Sequence, residues 1–117
     1  MPVNLEPYPW NFATITAGDT FPSARWVESA SDNLTSLSRV RIKIKDSAGV
    51  TFETLDSNAT GITINVATAG SWEWTIASLI APTEAGIYRV DMETTDSAGV
   101  ISTLSSGQWE ILEQITD

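Results

Sequence analysis

The sequence contains no cysteine and no histidine, and only 6 of its 117 residues are basic. Without cysteine there is no disulfide, no thiolate metal site and no thiol nucleophile. Without histidine, Ser-His and Cys-His nucleophile pairs and His-ligated zinc are excluded as well. The 6 basic residues face 15 acidic ones, and the net charge of −9 repels nucleic-acid phosphates and anionic lipid over most of the surface. Neither nucleic acid nor membrane is therefore expected as a partner. Nowhere do the roughly 18 apolar residues of a membrane span run together. Residues 1–20 hold neither a basic leader nor an unbroken apolar run, so a soluble chain without an export signal is expected. The 7 glycines are isolated turn residues, none in a phosphate-cradling loop.

What is present is enough to build a core. Hydrophobic residues make up 42% and charged residues 18%, the balance of one folded domain rather than a disordered acidic tail. Apolar residues recur at every second position, and β-branched Thr, Ile and Val are frequent, so the chain reads as all-β. From Ser38 to Lys45, Val40, Ile42 and Ile44 share one face while Arg39, Arg41, Lys43 and Lys45 share the other. From Ile87 to Thr95, Tyr88, Val90 and Met92 alternate with Arg89, Asp91 and Glu93. Between Ser71 and Ala77, Trp72, Trp74 and Ile76 lie opposite Ser71, Glu73 and Thr75. Further strands are expected over Phe12–Thr16, Phe21–Glu28, Val50–Leu55, Gly61–Val66, Val100–Leu104 and Gln108–Leu112. About nine short strands at this spacing predict an antiparallel β-sandwich or a small barrel.

Asp-Ser-Ala-Gly-Val occurs at 46–50 and again at 96–100, each time between two strands. Asp bonds its own backbone two residues on and Gly takes positive φ, so each copy reads as a hairpin turn rather than as half of a duplication. Leu79–Gly86 breaks the alternation and is expected to cross between sheets, with a short helical turn opened by Pro82 and closed by Gly86. Tyr88 then follows Gly86 as in the corner before strand F of immunoglobulin-like sandwiches, which favours a sandwich over a barrel. Residues 1–10, with prolines at 2, 7 and 9, read as an extended arm that joins no central strand, leaving 11–117 as the domain.

Arg39, Arg41, Lys43 and Lys45 are the sharpest anomaly, four basic residues on one strand face. They form either a stripe that docks an acidic partner or one side of internal pairs with Asp91 and Glu93 on a neighbouring strand. Of the 5 tryptophans, Trp72 and Trp74 are expected in the core. Tyr8 and Trp10 in the arm, and Trp26 after Pro22, are the interface candidates. No acidic pair picks itself out for glycosidase chemistry, and Asp56-Ser-Asn58 followed by Gly61 is a poor imitation of a calcium loop. No catalytic, cofactor or metal residue is assigned.

The succession Thr16-Ala-Gly-Asp-Thr-Phe-Pro22, Asn33-Leu-Thr35, Arg39-Val-Arg-Ile42, Ala85-Gly-Ile-Tyr88, Asp96-Ser-Ala-Gly-Val100, Gly107-Gln-Trp-Glu-Ile111 and Ile115-Thr116 resembles the small immunoglobulin-like domains of tailed-bacteriophage virions, such as the N-terminal domain of baseplate upper proteins. The resemblance implies an accessory virion protein, a capsid decoration, neck, tail or baseplate component, assembled in the host cytoplasm. It would be a homo-oligomer contacting other virion proteins, and not an enzyme. With no long region after the last strand, a stand-alone subunit is expected rather than a fibre anchor. The alternative is a carbohydrate- or receptor-binding sandwich using exposed tryptophans. An enzyme acting through a carboxylate pair is the third reading.

Overall fold

The computed structural model describes residues 8–9, 12–29, 36–68 and 71–113. Those residues form eleven β-strands and no helix. The first four are β1 (Tyr8–Pro9), β2 (Phe12–Thr16), β3 (Thr20–Phe21) and β4 (Ala24–Ser29). Next come β5 (Leu37–Lys45), β6 (Thr51–Asp56), β7 (Ile62–Thr68) and β8 (Ser71–Ile76). The last three are β9 (Leu79–Ile80), β10 (Gly86–Asp96) and β11 (Ile101–Leu112).

They stack as a β-sandwich. One sheet runs β11-β10-β5-β6, with β1 and β2 both parallel to the free edge of β11, and the facing sheet runs β4-β8-β7. A two-stranded ribbon, β3-β9, lies beside them. The alternation seen in the sequence supplies the core: Val40, Ile42 and Ile44 of β5 and Val90 and Met92 of β10 are buried with Trp72, Trp74 and Ile76 of β8. At one end Phe12 and Phe21 stack at 4.8 Å, and both meet the ring of Trp109 edge-on at 5.2–5.3 Å. The Trp109 indole N–H donates to the Ala13 carbonyl at 3.1 Å, tying β2 to β11 through a side chain as well as through the backbone.

The two Asp-Ser-Ala-Gly-Val turns share one geometry. Asp46 Oδ1 accepts from the Ala48 and Val50 amides at 2.9 Å, and Asp96 Oδ1 accepts from those of Ala98 and Val100 at the same distance. Gly49 and Gly99 sit at φ +85° and +84°, a conformation that costs an L residue roughly 1–2 kcal/mol. The aspartate and the glycine therefore explain the recurring pentapeptide without a duplicated domain.

Four expectations change. Phe21–Glu28 splits into β3 and β4 at Pro22, which cannot donate to a ladder. Val100–Leu104 and Gln108–Leu112 are one strand, β11. Its pairing with β10 slips between Met92↔Ser105 and Glu93↔Thr103, so Leu104 is a bulge residue and the inward parity switches, burying Leu104 and Ser105 in succession. The helical turn after Pro82 does not form. Leu79–Ile80 pairs with β3 instead, and the crossing is pinned where the Ala81 amide donates to Asp19 O at 2.8 Å and the Gly18 amide to Pro82 O at 3.1 Å. Within the expected arm, Tyr8–Pro9 lies parallel to Ser105–Ser106 as an edge strand, a place proline tolerates.

Candidate functional site

β5 and β10 are antiparallel neighbours, and their outward faces carry the charged residues that the inward faces exclude. The register sets Arg41 opposite Glu93, Lys43 opposite Asp91 and Lys45 opposite Arg89. The next strand, β11, adds Thr103 and Ser106 from either side of its bulge. Together these side chains line an open groove of about 290 Å³ on the outer face of the larger sheet. Lys45, Arg89 and Ser106 also border an adjoining depression of about 580 Å³ that extends over Gly107 and Gln108.

Internal pairing accounts for part of the basic stripe. Arg39 makes a two-pronged ion pair with Asp56 of β6, its Nε donating to Oδ1 at 3.0 Å and its Nη2 to Oδ2. This bond holds the Asp56 carboxyl below the ordinary carboxylate range, helped by the Asn58 amide at 2.9 Å. Asp56 is thereby committed to the fold rather than to a calcium ion. Arg41 Nη2 donates to Glu93 Oε1 at 2.7 Å, both side chains being about one-third exposed. Asp91 Oδ1 accepts from the Ser106 hydroxyl at 2.6 Å and, at a longer 3.4 Å, from Arg89 Nε. Among the described residues no ion pair involves Lys43 or Lys45.

The groove therefore brings together Arg41, Lys43 and Lys45 of the expected interface set, while Arg39 turns aside to Asp56. Trp10 lies outside the described residues, and only the backbone of Tyr8 is described, paired along β11. Trp26 lies on β4 of the smaller sheet, away from the groove. It is half-buried, and its ring stacks on that of Trp74 at 6.1 Å and 8°. With Trp72, Trp74 and Trp109 buried, none of these four tryptophans forms an exposed platform. Among the described residues the exposed aromatic ring is Phe52, 38% exposed, which meets Tyr88 edge-on at 5.9 Å beside Leu79 and Ile80 at the seam of the sandwich. Thr103 and Ser106 escape a sequence reading because the bulge at Leu104 decides which residues of β11 face outward. Arg89, Asp91 and Glu93 were legible from the alternation of β10.

Chemically the groove offers Lys and Arg donors, carboxylate acceptors and two hydroxyls that do both. Asp91 and Glu93 lie two residues apart on one strand face, roughly 6–7 Å along the chain. Each carboxylate already has a partner on the wall of the groove.

No protein-family model matches the sequence, and no curated protein matches it. Among solved structures the chain is similar to a family 123 glycoside hydrolase from Clostridium perfringens, a protein studied for its hydrolysis of glycolipid glycans. The likeness has a TM-score of 0.56 at 16% identity and covers 93% of this chain and 24% of the hydrolase. The chain thus spans about a quarter of that protein's length, and the likeness is one of fold. It nevertheless corrects two expectations. The sandwich taken as the mark of a phage virion component is found within a carbohydrate-acting protein. The same finding overturns the expectation of a chain with no part in enzymes, since this fold makes up part of a glycoside hydrolase.

Proposed function

We propose that this chain is a β-sandwich unit of a carbohydrate-acting protein and that it meets saccharide through the polar groove on β5, β10 and β11. The observation that carries the reading is the fold likeness, over 93% of the chain, to part of a glycoside hydrolase. The groove supports it. Sugar hydroxyls both donate and accept, and here cationic donors, carboxylate acceptors and the hydroxyls of Thr103 and Ser106 converge within one small depression. Its volume of about 290 Å³ lies at the lower edge of the roughly 300–1,000 Å³ typical of small-molecule sites. The paired Arg41–Glu93 and Ser106–Asp91 contacts hold the polar groups in place before a ligand arrives, which lowers the entropy lost on binding.

We also propose that the sandwich is immunoglobulin-like. The support is the pairing order, with β2 parallel to β11 and a three-stranded β4-β8-β7 sheet opposite, and the Tyr88 hydroxyl, which donates to Glu84 O at 2.9 Å four residues upstream. An experimental structure in which residues 12–16 pair elsewhere would overturn this.

The function is tested by screening the chain on an array of neutral and charged oligosaccharides, followed by titration calorimetry on the hits. Retention of saccharide, weakened by Ser106→Ala and Lys43→Gln without a change in melting temperature, is the expected result. Failure to retain any saccharide, or retention indifferent to both substitutions, would refute it.

A further inference from the structure

We infer that Lys45 and Arg89, with Lys43 beside them, seat the charged group of an anionic saccharide, a sugar bearing a carboxylate or a sulfate. This rests on the carbohydrate reading above and adds to it the charge class of the sugar. The chain is strongly acidic at −9, yet four of its six basic residues line this one groove against two carboxylates, leaving a local excess of two positive charges. Arg41 is occupied by Glu93. Lys45 and Arg89 are a different case. They stand directly opposite each other on antiparallel strands, where like charges are destabilising.

Within the groove that pair is only partly neutralised, through Arg89. The carboxylate contact of Arg89 is a long one, 3.4 Å to Asp91 Oδ1, and the same oxygen accepts a 2.6 Å bond from Ser106. Among the described residues neither Lys43 nor Lys45 is in an ion pair. Asp46 borders the adjoining depression and keeps its negative charge, but its Oδ1 accepts from the Ala48 and Val50 amides of the hairpin turn and, among the described residues, it forms no ion pair with Lys45. An anion lying between Lys45 and Arg89 turns the repulsion into two charge-assisted bonds. The depression over Gly107 and Gln108 then takes the uncharged remainder of the sugar. Asp91, in contact with Arg89 at 3.4 Å, and Glu93 beyond it repel additional negative charge, which disfavours a dense polyanion.

The test is calorimetric titration of the full chain with four probes: hyaluronan tetrasaccharide, carrying carboxylates only, chondroitin sulfate tetrasaccharide, neutral chitotetraose, and inorganic sulfate. Binding of one or both acidic sugars in preference to chitotetraose is expected, weakening as salt rises because the site is open to solvent. Lys45→Gln is expected to lower that affinity about tenfold, the loss of one charged hydrogen bond. Arg25→Gln on the opposite sheet is expected to leave it unchanged, with melting curves confirming that both variants fold. Hyaluronan binding at least as tightly as chondroitin sulfate, which carries carboxylates as well as sulfates, assigns the seat to the carboxylate. Equal binding of chitotetraose with no effect of Lys45→Gln would overturn the anionic seat while the carbohydrate reading stands. Binding of no saccharide would overturn both. Inorganic sulfate, or an acidic peptide run as a control, binding as tightly as the acidic sugars would overturn the saccharide assignment.

Discussion

Trp74 and Trp109 are both fully buried, yet their indole N–H groups have opposite fates. That of Trp109 donates to Ala13 O at 3.1 Å, whereas that of Trp74 finds no acceptor among the described residues. Replacing each by phenylalanine separates the two terms of a buried tryptophan. The volume lost is the same in both variants, so a similar packing penalty applies to each. Trp109→Phe also gives up a hydrogen bond with a net worth of about 1 kcal/mol. Trp74→Phe instead removes a donor whose unpaired burial costs roughly 1–3 kcal/mol, offsetting its packing loss. Trp109→Phe should therefore be the more destabilising by about 2–4 kcal/mol in urea denaturation followed by circular dichroism. For a domain of this size each kcal/mol corresponds to roughly 3–6 °C in melting temperature. Trp74→Ala, which empties the whole site, should cost ~3–5 kcal/mol and confirms that the position is packed. Equal destabilisation by the two phenylalanine variants, or a larger loss at Trp74, would show that the unpaired N–H is not a cost and would refute the reasoning.

Asp46→Ala should cost ~1–2 kcal/mol in a urea titration, because two turn amides lose their acceptor, and Asp96→Ala should cost at least as much. The Asp56 carboxyl, held below its ordinary value of 3.8 chiefly by the hydrogen bond from Arg39, contributes stability that is complete above that value and lost as pH falls through its folded value. Melting temperatures recorded from pH 6 to pH 2 should thus fall more steeply in the parent than in Asp56→Asn, and parallel curves would count against the assignment. Burial pushes the Tyr88 phenol above its ordinary value of 10.0, so its contribution is intact below that pH and fades as pH rises toward the folded value. Tyr88→Phe should cost about 1 kcal/mol at neutral pH through the lost bond to Glu84 O, and should flatten the alkaline limb of the stability profile.

Most of the strands were legible because a half-buried strand writes its orientation into every second residue. β8 and β10 carry that pattern throughout and β5 carries it from Arg39 to Lys45, and the structure places their inward residues where the pattern predicts. β11 does not. Leu104 shifts the parity midway, so one long strand reads as two short ones, and the outward positions of Thr103 and Ser106 follow only from its pairing with β10. The surroundings of Trp26 were hidden for a related reason: its neighbours show no clean alternation, and its ring lies on Trp74 of a strand nearly fifty residues away.

By itself the sequence determined the chemistry that is missing, the all-β class, the two aspartate-glycine turns and the concentration of positive charge on β5. These are local properties, set by residue type and by a two-residue period. Which basic residues are neutralised was decided only in three dimensions, because an ion pair depends on the register between strands far apart in the chain. That register joins Arg39 to Asp56 and Arg41 to Glu93, and it sets Lys45 opposite Arg89, which has only a 3.4 Å contact to Asp91.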